Sequence, residues 1–297
     1  MVCLTHSTPP SPLNHPARLS GCVDLILIRH AESKNNRLYE AIRDKHGDNL
    51  SETAFLREEA HLRHPDCGLS ELGLRQLEHL QAYEWHDYFL KADAFPKCQV
   101  FSSPMQRCLL TAQAVGRSLR SRMTAPVTVH PNLFEEGGCY TSLPDGVAIG
   151  LPGATWIDIG QRFPEFVCPE ISPRGWYDRS QKEKSADYDA RALEVARWIW
   201  FMQQDMLRSG HGALVLVTHG NIMSAIISTL FTGNPHAALF IHSNTGHTHI
   251  ELFSKGDRNM AVCQSANKVT HLLGETSLIG GDHAVDDRWI QQFALRC

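Results

Sequence analysis

Two histidines stand directly after two short apolar runs of this sequence. His30 follows the run at 23–28, with Arg29 between them, and His219 follows the run at 213–217. Short runs of β-branched residues and leucine are typical of strands buried on both faces of a parallel sheet. Ligands bind α/β sheets at the carboxyl ends of such strands. An imidazole and a guanidinium placed there indicate a site for an anion, because a guanidinium matches the geometry of phosphate oxygens.

The segments that follow these runs indicate how the two histidines are positioned. Helices are predicted at 36–45 and at 221–231. The positive end of the first helix dipole would point toward His30. If the two strands are neighbours in the sheet, His30 and His219 come together although they are far apart in the sequence. The repeated order of strand, histidine and helix predicts an α/β fold with a mostly parallel sheet.

Two further segments offer side chains that suit phosphate chemistry. Arg107 lies one turn into a helix predicted to follow the strand at 98–101, so its guanidinium would point back toward the strand end. Pro104 suits the first turn of that helix, where its missing N–H costs nothing. Glu135 and Glu136 stand side by side in a loop before two glycines. Either carboxyl could serve as a general acid, and both remain candidates.

Several of these segments resemble the motifs of a known family. The stretch Arg29-His30-Ala31-Glu32-Ser33, together with Asn36, resembles the signature of the histidine phosphatase superfamily, in its phosphoglycerate-mutase-like branch (branch 1). The family usually has glycine where this chain has Ala31, a small-for-small difference. Further matches follow in family order: Gly68-Leu69-Ser70, Ser102-Ser103-Pro104 with Arg107, Leu133 with Glu135, and Thr218-His219-Gly220. The resemblance covers about residues 23–273.

The resemblance implies a fold and a role for each matched residue. The implied fold is a three-layer αβα sandwich with a mostly parallel central sheet and an inserted lid. His30 would form a phosphohistidine, and Glu135 would be the general acid, with Glu136 as its competitor. The implied catalytic set is His30, Glu135, Arg29, Arg107 and His219. The implied phosphate-binding set is Arg29, Asn36, Arg107, His219 and the Gly220 N–H. We expect no cofactor and no metal in this chemistry.

The expected activity is that of a histidine acid phosphatase-like phosphomonoesterase. Its substrate would be a phosphorylated small molecule or a phosphoprotein. One alternative is phosphoryl transfer of the phosphoglycerate mutase type, although the longer fixed sequence of mutases after the first motif is not found. Another is a module that only binds phosphorylated ligands, although catalytically inactive relatives generally lose the nucleophile or an arginine. The sequence does not determine the substrate or the oligomeric state.

Composition excludes several other classes of protein. The chain has 297 residues, 42% of them hydrophobic and 20% charged, with a formal net charge of -4. These values are typical of a globular protein and give no basic surface for nucleic acid or an anionic membrane. No apolar run is long enough to span a membrane, and no signal pattern is evident. Nine scattered cysteines favour reduced thiols and therefore a cytoplasmic location.

We divide the chain by composition into a domain and two tails. Residues 1–21 are rich in proline and serine and are predicted to be a disordered tail. Residues 22–275 form the phosphatase domain, and the irregular segment 139–186 is predicted to be a lid that selects the substrate. Residues 276–297 form a C-terminal tail of unassigned structure.

Two local patterns complete the expectations. Ser70 is a good N-cap for a helix in which Leu74, Leu77 and Leu80 would face the core. His247 and His249 share one face of a predicted strand and could bind a metal. No third ligand is evident from the sequence, so we favour a structural or exposed pair of histidines.

Overall fold

The computed structural model describes residues 21–47, 51–85, 97–143, 147–169, 172–210, 212–256 and 258–280. Its strands are β1 (Cys22–Arg29), β2 (Cys98–Ser102), β3 (Thr128–Val129), β4 (Tyr140–Ser142), β5 (Ala148–Gly150), β6 (Ala213–Thr218), β7 (His247–Lys255) and β8 (Arg258–Lys268). Its α-helices are α1 (Lys34–His46), α2 (Glu52–Leu62), α3 (Glu71–Ala82), α4 (Gln106–Ser118), α5 (Trp156–Arg162), α6 (Ser185–Arg208) and α7 (Gly220–Thr232).

A mixed sheet forms the centre of the protein. Its strand order within the described residues is β3-β2-β6-β1-β7-β8. The first four strands run parallel, whereas β7 and β8 are antiparallel to their neighbours. Both β1 and β6 are buried along their whole length, because apolar side chains dominate both of their faces.

Helices cover the two faces of this sheet. Ile26 and Ile28 of β1 pack in a cluster with side chains of α3 and α4. Val23, Leu25 and Leu27, which alternate with them, pack against α6 and α7 on the opposite face. The predicted three-layer α/β fold with a mostly parallel sheet is therefore confirmed.

The pairing of β1 with β6 brings the two histidine motifs together. The strands are in parallel register, with Arg29 opposite Thr218. The backbone N–H of His30 donates to the carbonyl of Thr218 at 2.9 Å. His30 and His219 therefore leave the sheet side by side at its carboxyl edge.

Helix α3 differs from the sequence-based expectation in the face that it buries. Leu80 is buried as predicted, but Leu74 is 52% exposed. The buried face instead carries Gly73 and Gln76. Gln76 accepts a hydrogen bond from the N–H of Glu32 at 2.8 Å, so this helix packs on polar backbone that follows β1 rather than on apolar side chains alone.

The segment predicted to be a lid contains β4, β5 and α5. Its residues Trp176 and Tyr177 are buried and pack with Phe134 in the same apolar cluster as α3 and α4. They therefore belong to the main core of the protein rather than to a separate small core.

Only the inner ends of the two predicted tails lie within the described residues. Residues 276–280 pack against α3, where Leu278 is fully buried and its carbonyl accepts a hydrogen bond from Gln76 at 2.7 Å. None of the helices in the described ranges is long and apolar enough to cross a membrane.

Close packing at Gly73 generates a stability prediction. A Cβ atom at Gly73 would lie 2.1 Å from the carbonyl oxygen of Glu32, whereas one at Gly160 of α5 would meet nothing within 4 Å. We expect Gly73→Ala to lower the free energy of unfolding by about 1–3 kcal/mol through overpacking. Gly160→Ala should leave it unchanged or raise it by up to about 1 kcal/mol. Urea unfolding of both variants checks this, and equal stability of Gly73→Ala and the native chain would contradict it.

Candidate active site

His30 is held as one tautomer of the neutral imidazole. Its Nδ1 lies 2.7 Å from the carbonyl oxygen of Ala31, which can only accept, so Nδ1 carries the proton. The Nε of Arg107 donates to the other ring nitrogen, Nε2, at 3.2 Å. Burial, and then the positive charges of Arg107 and Arg29, hold the pKa of His30 well below its usual value. The Nε2 lone pair therefore faces the Arg107 guanidinium.

Backbone contacts fix the strand end that carries His30. Asn244 Nδ2 donates to the His30 carbonyl at 3.0 Å, and the Thr245 N–H donates to the Arg29 carbonyl at 3.1 Å. Thr245 is fully buried and has a φ of 58°, a conformation that costs energy for a β-branched residue. Backbone strain is thus stored in direct contact with the strand end that positions His30.

Both predicted arginines are buried in the same place. Arg29 donates through Nη1 to the carbonyl of His242 and is 5% exposed, and Arg107 is 7% exposed. Helix α4 begins at Gln106, with Met105 as its N-cap, so Pro104 lies before the helix and not in its first turn as the sequence predicted. Arg107 is consequently the second helical residue rather than one turn in, and its side chain still reaches His30.

His219 lies edge-on to His30, with ring centroids 5.0 Å apart. Ser103 Oγ is 2.9 Å and Cys108 Sγ is 3.3 Å from its Nε2. Burial first, then the charge of Arg107, lowers the pKa of His219 well below its usual value. Sequence reasoning did not identify Ser103 and Cys108 as partners of this ring. Their positions beside the second arginine motif were the available signal.

Glu135 lies against the amino end of α7. Its carboxylate accepts from the N–H groups of Asn221 at 3.3 Å and Ile222 at 3.2 Å, and from Glu136 at 2.9 Å. Burial raises the pKa of Glu135, while these backbone donors and the charge of Arg107 oppose the rise. Glu136 instead accepts from the Asn221 side chain at 3.0 Å. The two neighbouring carboxyls therefore occupy different environments, and the charge of Arg107 acts on Glu135.

Asn36 and Gly220, the other two predicted phosphate ligands, have structural contacts of their own. Asn36 Oδ1 accepts from the N–H and the hydroxyl of Ser33, forming a capping box at the start of α1. A phosphate could receive hydrogen bonds only from its Nδ2. Gly220 is the first residue of α7, and a Cβ there would lie 3.6 Å from Arg29 Nε. Phosphate binding by both residues remains a prediction.

A buried arginine that sequence reasoning missed anchors the loop before Glu135. Arg191 of α6 donates to the carbonyls of Asn132 at 2.9 Å and Phe134 at 2.7 Å. It also forms a bidentate pair with Glu183 at 2.8 and 2.6 Å, and stacks 3.7 Å from the centroid of the Phe134 ring. Glu183 lies just before α6, so this single guanidinium connects the end of the predicted lid to the candidate general-acid loop.

The arrangement as a whole concentrates groups that suit a phosphoryl group. Two guanidiniums, two neutral imidazoles, a helix amino end and a carboxyl with a raised pKa meet at one edge of the sheet. Such a site can neutralise an anion, offer a nitrogen nucleophile and supply a proton.

Comparison with known proteins agrees with this geometry. Residues 25–263 match the family model described as histidine phosphatase superfamily (branch 1), which confirms the resemblance inferred from the sequence. No curated protein matches the chain.

Solved structures with a similar fold share little sequence with this chain. A putative alpha-ribazole-5'-P phosphatase from Escherichia coli is 17% identical, with 83% of this chain and 97% of that chain covered and a TM-score of 0.46. A phosphoserine phosphatase mutant from Entamoeba histolytica in complex with phosphoserine is 19% identical, with 84% and 100% covered and a TM-score of 0.46. The ecdysone phosphate phosphatase from Bombix mori in complex with tungstate is 16% identical, with 83% and 95% covered and a TM-score of 0.49. At these identities the likeness carries no information on function.

The protonation state of His30 can be tested directly. In nitrogen-15 spectra of histidine-labelled protein, we expect His30 to stay neutral, with its proton on Nδ1, as the pH falls through about 6.5, where a model histidine peptide titrates. Arg107→Met removes the larger of the two neighbouring charges and should raise the pKa of His30. The spectrum of His30→Gln identifies the signal. A native His30 signal that follows the peptide would contradict the assignment.

Proposed function

Because the chain belongs to branch 1 of the histidine phosphatase superfamily, we propose that it hydrolyses phosphomonoesters through a phosphohistidine on His30. The observation that carries this proposal is the neutral His30 imidazole, with its proton on Nδ1 and its Nε2 lone pair toward Arg107. A group that binds phosphate dianions only as a cation would not need a buried nitrogen with a lowered pKa. A nucleophile does need one.

In the first step, His30 Nε2 attacks phosphorus opposite the ester oxygen. The new N–P bond forms as the P–O bond to the leaving group breaks. Glu135, whose pKa is raised by burial, gives its proton to the departing oxygen. This step yields a phosphohistidine, a free alcohol and an ionised Glu135.

In the second step, water cleaves the phosphohistidine. The ionised Glu135 takes a proton from the attacking water, and the N–P bond breaks to release inorganic phosphate and neutral His30. The carboxyl is then protonated again and ready for the next ester. One residue acts first as acid and then as base, as microscopic reversibility requires.

The equatorial oxygens of the transferring group need positive charge throughout both steps. Arg29 and Arg107 supply it as bidentate donors. The Gly220 N–H, at the amino end of α7, and the Asn36 Nδ2 add hydrogen bonds. A bound dianion also raises the pKa of the neighbouring His219, so we propose that His219 becomes protonated only when phosphate binds. These groups stabilise the charge without a metal ion.

The two other readings differ from hydrolysis in what happens to the phosphoryl group. A mutase would return it to the substrate and would require a bisphosphoglycerate primer. A binding module would leave the ester intact. We favour hydrolysis because every matched catalytic residue is present and the mutase-type extensions are absent from the sequence. We further propose that the segment 139–186 selects the substrate, a phosphorylated small molecule or phosphoprotein.

The proposed intermediate predicts the effect of removing the nucleophile. The native chain should hydrolyse an aryl phosphate in excess EDTA, and an acid-labile, base-stable phosphoenzyme should be trapped by rapid quenching. His30→Ala should lose both, with activity down by about 10⁴-fold or more, because the covalent step is removed. Binding of inorganic phosphate to the native chain, measured by calorimetry, separates an inactive binder from a misfolded protein. Appreciable turnover by His30→Ala would exclude the covalent mechanism.

The assignment of the general acid predicts a dependence on the leaving group. Glu135→Gln should slow an alkyl phosphate by about 10²–10⁴-fold, because the alkoxide needs a proton to leave. Nitrophenyl phosphate needs no such proton, so the burst of nitrophenol should persist while steady turnover slows. Glu136→Gln is the matched control and should leave both substrates nearly unaffected. The opposite result for the two variants would make Glu136 the general acid.

A further inference from the structure

A second cluster of reactive side chains lies at the beginning of β1, at the opposite end of the strand from His30. The Sγ of Cys22 and carboxylate oxygens of Asp24 and Glu251 all lie within 4.8 Å of one another. A fourth group joins them, because His249 Nε2 is 3.0 Å from Asp24 Oδ1. The cluster therefore combines one thiol, one imidazole and two carboxyls.

Strand geometry explains why these four side chains converge. Cys22 and Asp24 are two residues apart on β1 and point to the same face. On the antiparallel neighbour β7, Glu251 pairs directly with Asp24, and His249 pairs with Ile26. His249 and Glu251 therefore share that same face. Two hydrogen-bonded strands hold all four side chains, so little chain entropy is lost when a ligand gathers them.

The environment of the cluster favours a cation. Asp24 is 3% exposed, and Cys22 and His249 are also buried, while Glu251 is partly exposed and gives access from solvent. Two carboxylates directly opposite each other on neighbouring strands repel when both are ionised. A divalent ion placed between them would neutralise both charges, and burial would strengthen that attraction.

We propose that Cys22, Asp24, His249 and Glu251 bind one divalent transition-metal ion, with Zn²⁺ as the best fit. Thiolate, imidazole and carboxylate are the three ligand types of zinc, and four protein ligands match its tetrahedral structural sites. Calcium and magnesium prefer oxygen ligands alone. Binding would displace the thiol proton of Cys22 to solvent and give a thiolate–metal bond. The ion would link β1 to β7.

This site is independent of the proposed phosphatase chemistry. Six residues of extended strand, roughly 20 Å, separate Asp24 from His30. The site also departs from the expectation that the chain binds no metal. His249 was one of the two histidines considered as ligands from the sequence, but the other, His247, packs instead against the rings of Tyr83 and Trp85. Distant residues on β1 provide the ligands that the sequence pattern around His249 lacked.

Metal uptake by the native chain and by matched variants tests the proposal. After treatment with a chelator, the native chain should retain one equivalent of Zn²⁺ through gel filtration. Asp24→Asn and Cys22→Ser should each weaken Zn²⁺ binding by about tenfold or more, since each removes a ligand. Cys263→Ser, at an exposed cysteine on β8, is the control and should retain the native affinity. Failure of the native chain to bind, or equal affinity in all variants, would overturn the proposal.

Two measurements on the native chain keep the test decisive if a variant fails to fold. Co²⁺ in this site should show the absorption of a tetrahedral ion and a thiolate-to-cobalt charge-transfer band, and one equivalent of Zn²⁺ should abolish both. At a free Zn²⁺ concentration about 100 times Kd, the melting temperature should rise by about 5–10 °C. An octahedral cobalt spectrum without the charge-transfer band, or an unchanged melting temperature, would contradict the site.

Discussion

Two guanidinium groups buried beside two imidazoles govern the electrostatics of the candidate site. Arg29 and Arg107 place like charges together where little water can screen them, and such an arrangement is costly unless an anion fills it. Both histidines respond by remaining neutral. A phosphate dianion balances the two guanidiniums, so the same interaction that disfavours the empty site favours its ligand. Charge, more than shape, therefore selects what enters.

The fold and the identity of most candidate residues could be predicted because they depend on local patterns. His30 and His219 each end an apolar run, and parallel strands bring such ends together. The proton on Nδ1 of His30 could not be predicted, since it depends on the position of a single carbonyl and of Arg107. The exposed Leu74 was mispredicted for a similar reason, because the contact that α3 makes is with the backbone at Glu32.

Contacts from side chains to distant backbone explain what else the sequence concealed. Arg191 donates to two carbonyls in the loop before Glu135, and Thr218 Oγ1 donates to the Leu133 carbonyl at 2.6 Å. Such contacts leave no periodic pattern in a sequence, because a carbonyl group is present at every residue. Together they join α6, β6 and the loop, so the position of Glu135 depends on residues far from it in the chain.

The central position of β6 has a consequence for how the protein forms. This strand lies between β2 and β1, which precede it by more than a hundred residues, and it pairs with both. Closing such long loops is slow, and a growing chain presents the edges of β1 and β2 before β6 is made. Until then those edges can pair wrongly. The protein should therefore be most prone to aggregation during synthesis, and a chain ending before β6 lacks both its central strand and His219.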